Sequence, residues 1–447
     1  MALFGTNGVR GIANEFLTPE LALGLGLSFG TFLGEGTVAV GTDTRESRHM
    51  LKAAAISGLL SAGMQVVDVG IVPTPCLQHF VREHADGGLM VTASHNPREY
   101  NGIKLIAGDG TELSHEDEQR IEQIYHEARY KRAGWSGCGH IASADAITPY
   151  LDAIIERVDA ERIRRARFTV AVDTGCGAGS LTLPFLLRRL GCRVLALNAQ
   201  VDGTFPARNP EPVEEVLGEL SAVVKESGAD IGIAQDGDAD RAVFVDERGK
   251  FVDEDSMLAL VADHVLSQPS RRQKVVVTPV SSSLRVVDVA KRHGARVEWT
   301  GVGSIYVEQK MLELDAVFGG EGNGGFIFPD HQYCRDGAMA AAVVLEMLSA
   351  GTPLSELLNR VPQYHSAKTK VSLDNPRQAV EGIKPVLASM PEVQRVETVD
   401  GVKAWFEDGW VLIRPSGTEP LVRVFAESKS EERAEQLMRL GVSMLQR

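Results

Sequence analysis

Three stretches of this 447-residue chain repeat one order of elements, and that repetition limits the fold more than any other feature. The first opens with Val38-Ala39-Val40-Gly41-Thr42-Asp43-Thr44-Arg45 and, after a helical stretch, reaches Gly63-Met64-Gln65-Val66-Val67. The second runs from Thr169-Val170-Ala171-Val172-Asp173-Thr174-Gly175 to Gly191-Cys192-Arg193-Val194-Leu195. The third runs from Lys274-Val275-Val276-Val277-Thr278-Pro279 to Gly294-Ala295-Arg296-Val297-Glu298. In each, a glycine closes the helix and a β-branched strand follows, the usual way a helix is terminated. Short continuous apolar strands alternating with helices predict α/β units with buried sheets.

Each repeat then carries a further strand that ends in a polar, glycine-rich loop. These are Leu89 to Val91 before Ser94, Asp230 to Ala234 before Asp236, and Ala316 to Phe318 before Gly319-Gly320-Glu321-Gly322-Asn323-Gly324-Gly325. Ligands of open α/β sheets bind beyond the carboxyl ends of the strands, so three loops in register predict a shared site. Glycine and aspartate after strands are common in any α/β protein, and one such loop alone would carry little weight.

The pattern changes from about Ser366. Asp400-Gly401 and Asp408-Gly409 are hairpin signals flanked by strand-like runs Val402 to Phe406 and Trp410 to Arg414. A last helix is expected after Ser428, with Glu431 completing a capping box and apolar Ala434, Leu437, Met438, Gly441 and Leu445 at helical spacing. The resulting division is 1–148, 149–248, 249–362 and 363–447, with a linker near Val361 to Ala367. The fold class expected is α/β: three related α/β domains with mixed sheets plus a smaller C-terminal α+β domain.

Composition excludes several classes. Hydrophobic content of 44% with 24% charged residues is that of a globular chain. The apolar run Ala338 to Val344 is too short to span a bilayer. No basic segment with an apolar h-region opens the chain, so no signal peptide is expected. The net charge of −14 argues against nucleic-acid and anionic-membrane partners. The five cysteines are odd in number and widely spaced, with no Cys-x-x-Cys, which points to a reducing cytoplasm rather than disulfides or zinc.

Three clusters carry chemistry. Asp236-Gly237-Asp238-Ala239-Asp240-Arg241 sets three carboxylates at alternate positions, which converge on one cation only if the backbone turns tightly. Hard oxygen donors favour Mg²⁺ or Ca²⁺. An EF-hand loop ending at Glu247 would need glycine where Arg241 stands, and the following Ala242-Val243-Phe244-Val245 reads as a strand. A solvated acidic turn is the plain alternative. Ser94, in Thr92-Ala93-Ser94-His95-Asn96-Pro97, is either a turn serine or a nucleophile, and as a nucleophile it needs a base, a metal or both. His95 is by itself more often a structural hydrogen-bonder than a catalyst. Lys104, in Asn101-Gly102-Ile103-Lys104, is a candidate proton carrier. Arg414-Pro415-Ser416-Gly417-Thr418-Glu419-Pro420 offers a guanidinium, hydroxyls and a backbone nest suited to phosphate, with Arg423 on the adjoining strand; the same residues also make good turns. The Glu321 and Asn323 loop suits sugar hydroxyls or is a plain turn. Arg10 ends a glycine-rich N-terminal loop. Gly175-Cys176-Gly177-Ala178-Gly179 lacks the spacing of a dinucleotide loop. Together these motifs point to phosphoryl transfer.

With the Ser94, Asp236 and Arg414 motifs in this order, the chain closely resembles the α-D-phosphohexomutase family over essentially its whole length. The resemblance implies four domains around a central cleft and a phosphoryl group carried on Ser94. It implies one Mg²⁺ held by the Ser94 phosphate with Asp236, Asp238 and Asp240. Lys104 would be the general acid/base, with Arg10, His95 and Arg241 beside it. Glu321, Asn323, Gly303 and Ser304 would face the sugar, while Arg414, Ser416, Gly417, Thr418 and Arg423 would hold the distal phosphate. The reaction implied is reversible exchange of a hexose or hexosamine 6-phosphate with its 1-phosphate through a hexose 1,6-bisphosphate, which also serves as activator. Many relatives have serine where Asn323 stands and histidine where Gly325 stands, which weakens the transfer of sugar recognition. The segment Gly319 to Gly337 looks most like archaeal-type phosphoglucosamine mutases; phosphomannomutase or phosphoglucomutase activity is the alternative. A sugar-phosphate phosphatase and a non-catalytic sensor are rivals from other classes. The expected partners are small sugar phosphates, with no nucleic acid or membrane, and the protein is expected to be a monomer or homodimer.

Overall fold

The computed structural model describes residues 3–5, 7–416 and 420–446. Its first sheet has six strands: β1 (Val9–Ile12), β2 (Thr37–Thr42), β3 (Gln65–Ile71), β4 (Gly87–Val91), β5 (Tyr100–Ala107) and β6 (Ile141–Ser143). Their spatial order is β1-β5-β4-β2-β3-β6. β4, β2, β3 and β6 run parallel, while β5 is antiparallel to both β4 and β1. The helices of this part are α1 (Pro19–Leu33), α2 (Arg48–Ser61), α3 (Thr74–His84) and α4 (His115–Glu127).

The second unit holds α5 (Ile147–Ile155), α6 (Ala160–Ala166), β7 (Thr169–Asp173), α7 (Leu183–Arg189), β8 (Arg193–Leu197), α8 (Gly218–Ser227), β9 (Ile231–Gln235) and β10 (Ala242–Val245). Its strand order is β10-β9-β7-β8, with only β10 antiparallel. The third unit contains α9 (Glu254–Ser267), β11 (Gln273–Pro279), α10 (Leu284–Arg292), β12 (Arg296–Thr300), α11 (Ser304–Leu314) and β13 (Ala316–Glu321). There β11 lies between parallel neighbours β12 and β13.

All three units therefore set their strands in the order third, first, second. The repeat in the sequence is a repeat of topology. β4, β9 and β13 are buried at every position, as near-continuous apolar parallel strands require. The helix-closing glycines Gly63, Gly191 and Gly294 all take the left-handed conformation, with φ of 91°, 81° and 63°. A side chain there would be strained, so the same residue recurs at the same joint.

After β14 (Gly325–Ile327) come α12 (Gly337–Leu348) and α13 (Leu354–Leu358). α12 contains the apolar run from Ala338, and only Glu346 of its residues escapes burial. No helix among the described residues is long and apolar enough to cross a membrane. The C-terminal sheet comprises β15 (His365–Ser372), β16 (Arg395–Glu397), β17 (Val402–Phe406), β18 (Gly409–Pro415) and β19 (Leu421–Ser428), in the order β15-β19-β18-β17-β16 and wholly antiparallel. α14 (Pro376–Ala388) and α15 (Glu431–Leu445) cover one face, against Ala404, Val411, Ile413 and Val424. The alternate residues of β18, Trp410 and Leu412, pack instead with Val280 of the third unit.

Two expectations are corrected. The residue capping α15 is Ser430, whose side chain accepts from the Arg433 N–H. β19 continues through Ser428, whose hydroxyl donates to the Asp408 carbonyl instead. The stretch expected as a linker is partly strand, because β15 already pairs with β19 from His365.

The chain forms two compact bodies, 1–253 with 323–357, and 254–322 with 358–447.

Candidate active site

The first body brings Ser94 and the three aspartates together. β4 stops at Val91, and the chain then turns so sharply that Ser94 takes φ of 51°, a left-handed conformation unusual for serine. A side-chain relay holds it there. The Ser94 N–H donates to Thr92 Oγ1 at 2.9 Å, and the Thr92 hydroxyl donates to Asp43 Oδ2 at 2.6 Å. Asp43 pairs with Arg45, Nε to Oδ2 at 3.0 Å, with both side chains fully buried. The Arg45 guanidinium then donates to four carbonyls of the loop: Ser94 at 2.8 Å, Asn96 at 2.6 Å, Pro97 at 2.6 Å and Tyr100 at 2.8 Å. Burial raises the pKa of Asp43, against the pull of Arg45 and Thr92. One rigid, planar side chain thus fixes the curve of the serine loop.

The second unit holds its own loop the same way. Asp173, the last residue of β7, accepts from Arg208 Nε at 3.1 Å, and Arg208 Nη2 reaches the Gln235 carbonyl at 2.7 Å, one residue before Asp236. The glycine-rich run 175–179 lies under this turn: the Ala178 N–H donates to the Gly237 carbonyl at 2.9 Å, and a Cβ on Gly177 would come within 2.6 Å of that same oxygen. Its glycines give the Asp236 loop room. Gly237 is in turn pressed on the serine loop, since a Cβ there would sit 2.6 Å from the Ser94 carbonyl.

Asp236, Asp238 and Asp240 are all buried, and one carboxylate oxygen from each lies within 4.8 Å of the others. Ser94 Oγ donates to Asp236 Oδ2 at 2.8 Å. Asp238 Oδ2 accepts from Thr74 Oγ1 at 2.6 Å and from Lys104 Nζ at 3.0 Å. Asp240 Oδ2 accepts from Arg335 Nη2 at 2.5 Å, with Lys104 Nζ at 3.8 Å. Asp238 Oδ1 and Asp240 Oδ1 are buried without a hydrogen-bond partner. Buried carboxylate oxygens left without a donor are costly unless a cation takes them. The residues fit a hard divalent ion: all donors are oxygen, and the tight turn through Ala239 (φ 57°) brings the alternate carboxylates together. Burial and the neighbouring Asp240 and Asp238 raise the pKa of Asp236 well above the ordinary carboxylate range. Burial works in the same direction on Asp238, but Lys104 and Thr74 outweigh it and hold that carboxyl below its usual range.

Cations ring this acidic centre. Arg10, on β1, donates to the Ala93 carbonyl at 3.3 Å and to Asn96 Oδ1 at 3.0 Å, and burial lowers its pKa against the pull of Asp238 and Asp240. Arg241 follows the Asp236–Asp240 turn and donates from Nη2 to His95 Nδ1 at 3.2 Å. A guanidinium can only donate, so Nδ1 of His95 is an acceptor. Burial, with Arg241, Arg10 and Arg335 nearby, lowers the His95 pKa to about 2. His95 is therefore a neutral acceptor that orients Arg241, with its Nδ1 3.4 Å from Ser94 Oγ. Asn323 belongs to this body, where its Oδ1 accepts from the Gly325 N–H at 3.1 Å and closes a turn.

The second body carries the remaining candidates. Glu321 ends β13 and is buried. Gly303 precedes α11 with φ of 139°, and Ser304 opens that helix. Asp400 ties this turn to the C-terminal loop: its Oδ2 accepts from the Val302 N–H at 3.0 Å and from Arg414 Nε at 2.6 Å. Arg414 stands opposite Arg423 across β18 and β19, and the Ser416 N–H donates to the Leu421 carbonyl at 2.8 Å. Gly417 and Thr418 lie outside the described residues.

Sequence reading passed over Arg45, Arg208, Thr74, Arg335 and Asp400. Only Arg45 left a local signal, as an arginine two residues after an acid at the end of a buried strand.

Comparison with known proteins covers nearly the whole chain. Family models described as phosphoglucomutase/phosphomannomutase alpha/beta/alpha domains I, II and III match residues 1–132, 148–249 and 253–364. The model for the C-terminal domain of the same family matches 369–439. A phosphoglucomutase/phosphomannomutase of Thermococcus kodakarensis is 50% identical, over 99% of this chain and 98% of its own length. A phosphoglucosamine/phosphogalactosamine mutase of Sulfurisphaera tokodaii is 41% identical, over 98% of this chain and 97% of its own. The crystal structure of a phosphoglucomutase/phosphomannomutase family protein from Burkholderia thailandensis superposes with a TM-score of 0.89 at 28% identity, covering 100% of this chain and 98% of that one. With four domain models matched in order along a chain of this architecture, the protein belongs to the phosphoglucomutase/phosphomannomutase family of phosphohexomutases.

Proposed function

We propose that the chain is a reversible phosphohexose mutase that carries a phosphoryl group on Ser94. One observation supports this above the others: Ser94 Oγ sits 2.8 Å from Asp236 in a buried triad whose second member is bound by Lys104. A serine held in a strained turn against three carboxylates is costly as mere architecture. The same arrangement suits a group that alternates between hydroxyl and phosphate ester.

In this reading Asp236, Asp238 and Asp240 hold one Mg²⁺. When bound, the ion would offset the −1.5 to −2 charge that a phosphoserine brings at neutral pH. Arg10 and Arg241 supply further positive charge to the transferring group, since phosphoryl transfer is mostly positioning and charge stabilisation. Lys104 takes the proton of the attacking sugar hydroxyl in one half-reaction and returns it to the leaving one in the other. Ser94 gives its phosphoryl group to a hexose monophosphate, making the 1,6-bisphosphate, which turns over and returns its other phosphate. Arg414, Ser416, Gly417, Thr418 and Arg423 hold the phosphate that is not reacting. Glu321, Asn323, Gly303 and Ser304 read the sugar.

The sugar we propose first is glucosamine phosphate, on the likeness of the 319–337 segment to archaeal-type members and on relatives named probable phosphoglucosamine mutases, such as that of Methanopyrus kandleri at 42% identity. Glucose or mannose phosphate is the second reading, favoured by the 50% identical Thermococcus relative. The domain limits 1–148, 149–248, 249–362 and 363–447, a cytoplasmic location and a monomeric or homodimeric state complete the proposal. The absence of a disulfide among the five cysteines supports the compartment.

Turnover on the 1- and 6-phosphates of glucosamine, glucose and mannose, with Mg²⁺ and catalytic 1,6-bisphosphate, tests this. Isomer exchange lost in Ser94→Ala is the expected result. Steady release of inorganic phosphate without isomer exchange would make the protein a phosphatase. Unchanged sugar-phosphate binding with no turnover in the unmodified protein would make it a sensor.

A further inference from the structure

We propose that Arg335 is a phosphoryl-binding residue of the first body, freed onto the transferring phosphate when a divalent cation takes Asp240. The inference rests on the phosphoryl-transfer reading above.

Arg335 is 7% exposed, and its Nη2 donates to Asp240 Oδ2 at 2.5 Å. Each of two triad members thus has a cation: Lys104 on Asp238, Arg335 on Asp240. Both cations pair through Oδ2, while the Oδ1 atoms have no hydrogen-bond partner and that of Asp240 has only the longer ion pair to Arg241 Nε at 3.8 Å. A doubly charged ion drawn in by those atoms competes with the guanidinium for the Asp240 carboxylate. A phosphate dianion on Ser94 would compete with Asp240 for that guanidinium, which matches phosphate geometry in a bidentate fork.

The chain places this side chain with care. Its stem crosses Gly325, where a Cβ would come within 2.4 Å of Arg335 Cδ, so residue 325 must lack a side chain for the arginine to lie there. The segment before it is anchored on α3: Arg82 donates to the His331 carbonyl at 2.6 Å, and Gln332 Nε2 donates to the Pro75 carbonyl at 3.1 Å. The next residue, Asp336, caps α12 through the Met339 N–H and accepts from Tyr150 and Gln332. α3 also supplies Thr74 to Asp238, so the arginine and the metal turn share one support. Arg335 is close enough to act electrostatically on Arg10 and on His95, which touch the Ser94 loop.

Charge supports the assignment. Without Arg335, three cations and one Mg²⁺ must offset three carboxylates, a phosphoserine and a sugar phosphate, which leaves the loaded site more negative by one full charge. An arginine set on a transferring phosphoryl group accelerates by about 10³ or more, and a single preorganised donor by about 10² to 10³.

The test compares wild type with Arg335→Gln, Arg335→Lys and Gly325→Ala, reading kcat, KM and Mg²⁺ affinity, and the rate of Ser94 phosphorylation by a hexose 1,6-bisphosphate followed by mass spectrometry. In Arg335→Gln, kcat and the phosphorylation rate should fall about 10²-fold or more, with Mg²⁺ affinity unchanged or tighter because Asp240 loses a competitor. Arg335→Lys should recover part of the rate. Gly325→Ala keeps the charge but displaces the stem, and should lower kcat in a protein that still binds Mg²⁺. A kcat within threefold of wild type in Arg335→Gln overturns the proposal, as does a loss wholly restored by saturating Mg²⁺. Absence of Ser94 phosphorylation in the wild type would instead refute the underlying phosphoryl-transfer reading.

Discussion

Replacing Arg45 with methionine should loosen the serine loop without touching any reacting atom. The side chain is fully buried, pairs with Asp43 and donates to four loop carbonyls. Methionine keeps most of the stem and removes every donor. Asp43 is then left as a buried carboxylate with the Thr92 hydroxyl and the residue 45 N–H, and breaking such a pair from one side costs about 3–5 kcal/mol. Because the donors converge on residues 94–100, the loss should appear first as local opening of that segment. At about 1.4 kcal/mol per factor of ten, amide exchange in a peptide spanning 92–100 should quicken by between about 10² and several times 10³. Peptides from the C-terminal sheet should be unaffected. Adding Asp43→Asn to Arg45→Met removes the stranded charge and should return about 1–2 kcal/mol, the coupling expected of contacting residues. Arg45→Lys should help little, since one ammonium cannot reach four carbonyls. Acceleration of less than tenfold, or single-variant effects that simply add, would refute the view that one ion pair sets the loop.

Two further outcomes follow from the second body. Lys403 is buried among the faces of Trp299, Trp405 and Trp410, at 4.5, 4.4 and 3.9 Å, and donates to the Val280 carbonyl at 2.6 Å. Burial lowers its pKa to about 7, with Glu427 and Glu397 pulling the other way. The unfolded chain takes up the proton first as pH falls from about 10.4, so this body should lose stability between there and pH 7 and then level off. Tryptophan fluorescence should titrate near pH 7 and the step should vanish in Lys403→Met; a flat signal from pH 6 to 9 would mean the ring faces keep the ammonium charged. Arg414→Ala should raise KM for hexose phosphates by about tenfold or more, the worth of a charged hydrogen bond, while Ser94 phosphorylation by the bisphosphate continues. It is a cleaner probe than truncation after Val361, which would also strip Trp410 and Leu412 from Val280; a KM unchanged in Arg414→Ala would remove that loop from the site.

What could be read from the sequence was what is local. The repeat was legible because strands buried on both faces are continuously apolar and a left-handed joint selects glycine at 63, 191 and 294. Ser94 and the Asp236 triad were legible because their atoms come from one turn each. Arg45 acts on Ser94 across 49 residues, and Arg335 on Asp240 across 95, and no periodicity connects them. The run 175–179 was set aside as a failed dinucleotide loop, and its glycines instead make room beneath Gly237. The Ser428 cap failed because pairing with Gly409 extended β19 past the expected boundary. Chain pairing outranked local capping chemistry.

The three repeats do not tether their loops alike. An aspartate–arginine clamp holds the serine loop and another holds the Asp236 turn, but in the third unit the Thr278 hydroxyl, bonded to Ser282 at 2.6 Å, reaches the Gly320 carbonyl at 2.8 Å. The serine and Asp236 loops are held by charged guanidinium donors, whereas the hydroxyl tether on the Gly320 carbonyl is neutral. If the loop bearing Glu321 reads the sugar, as proposed, a change of sugar preference can arise there while both clamps stay intact. Exchanging residues 319–325 between family members is the engineering route this asymmetry leaves open.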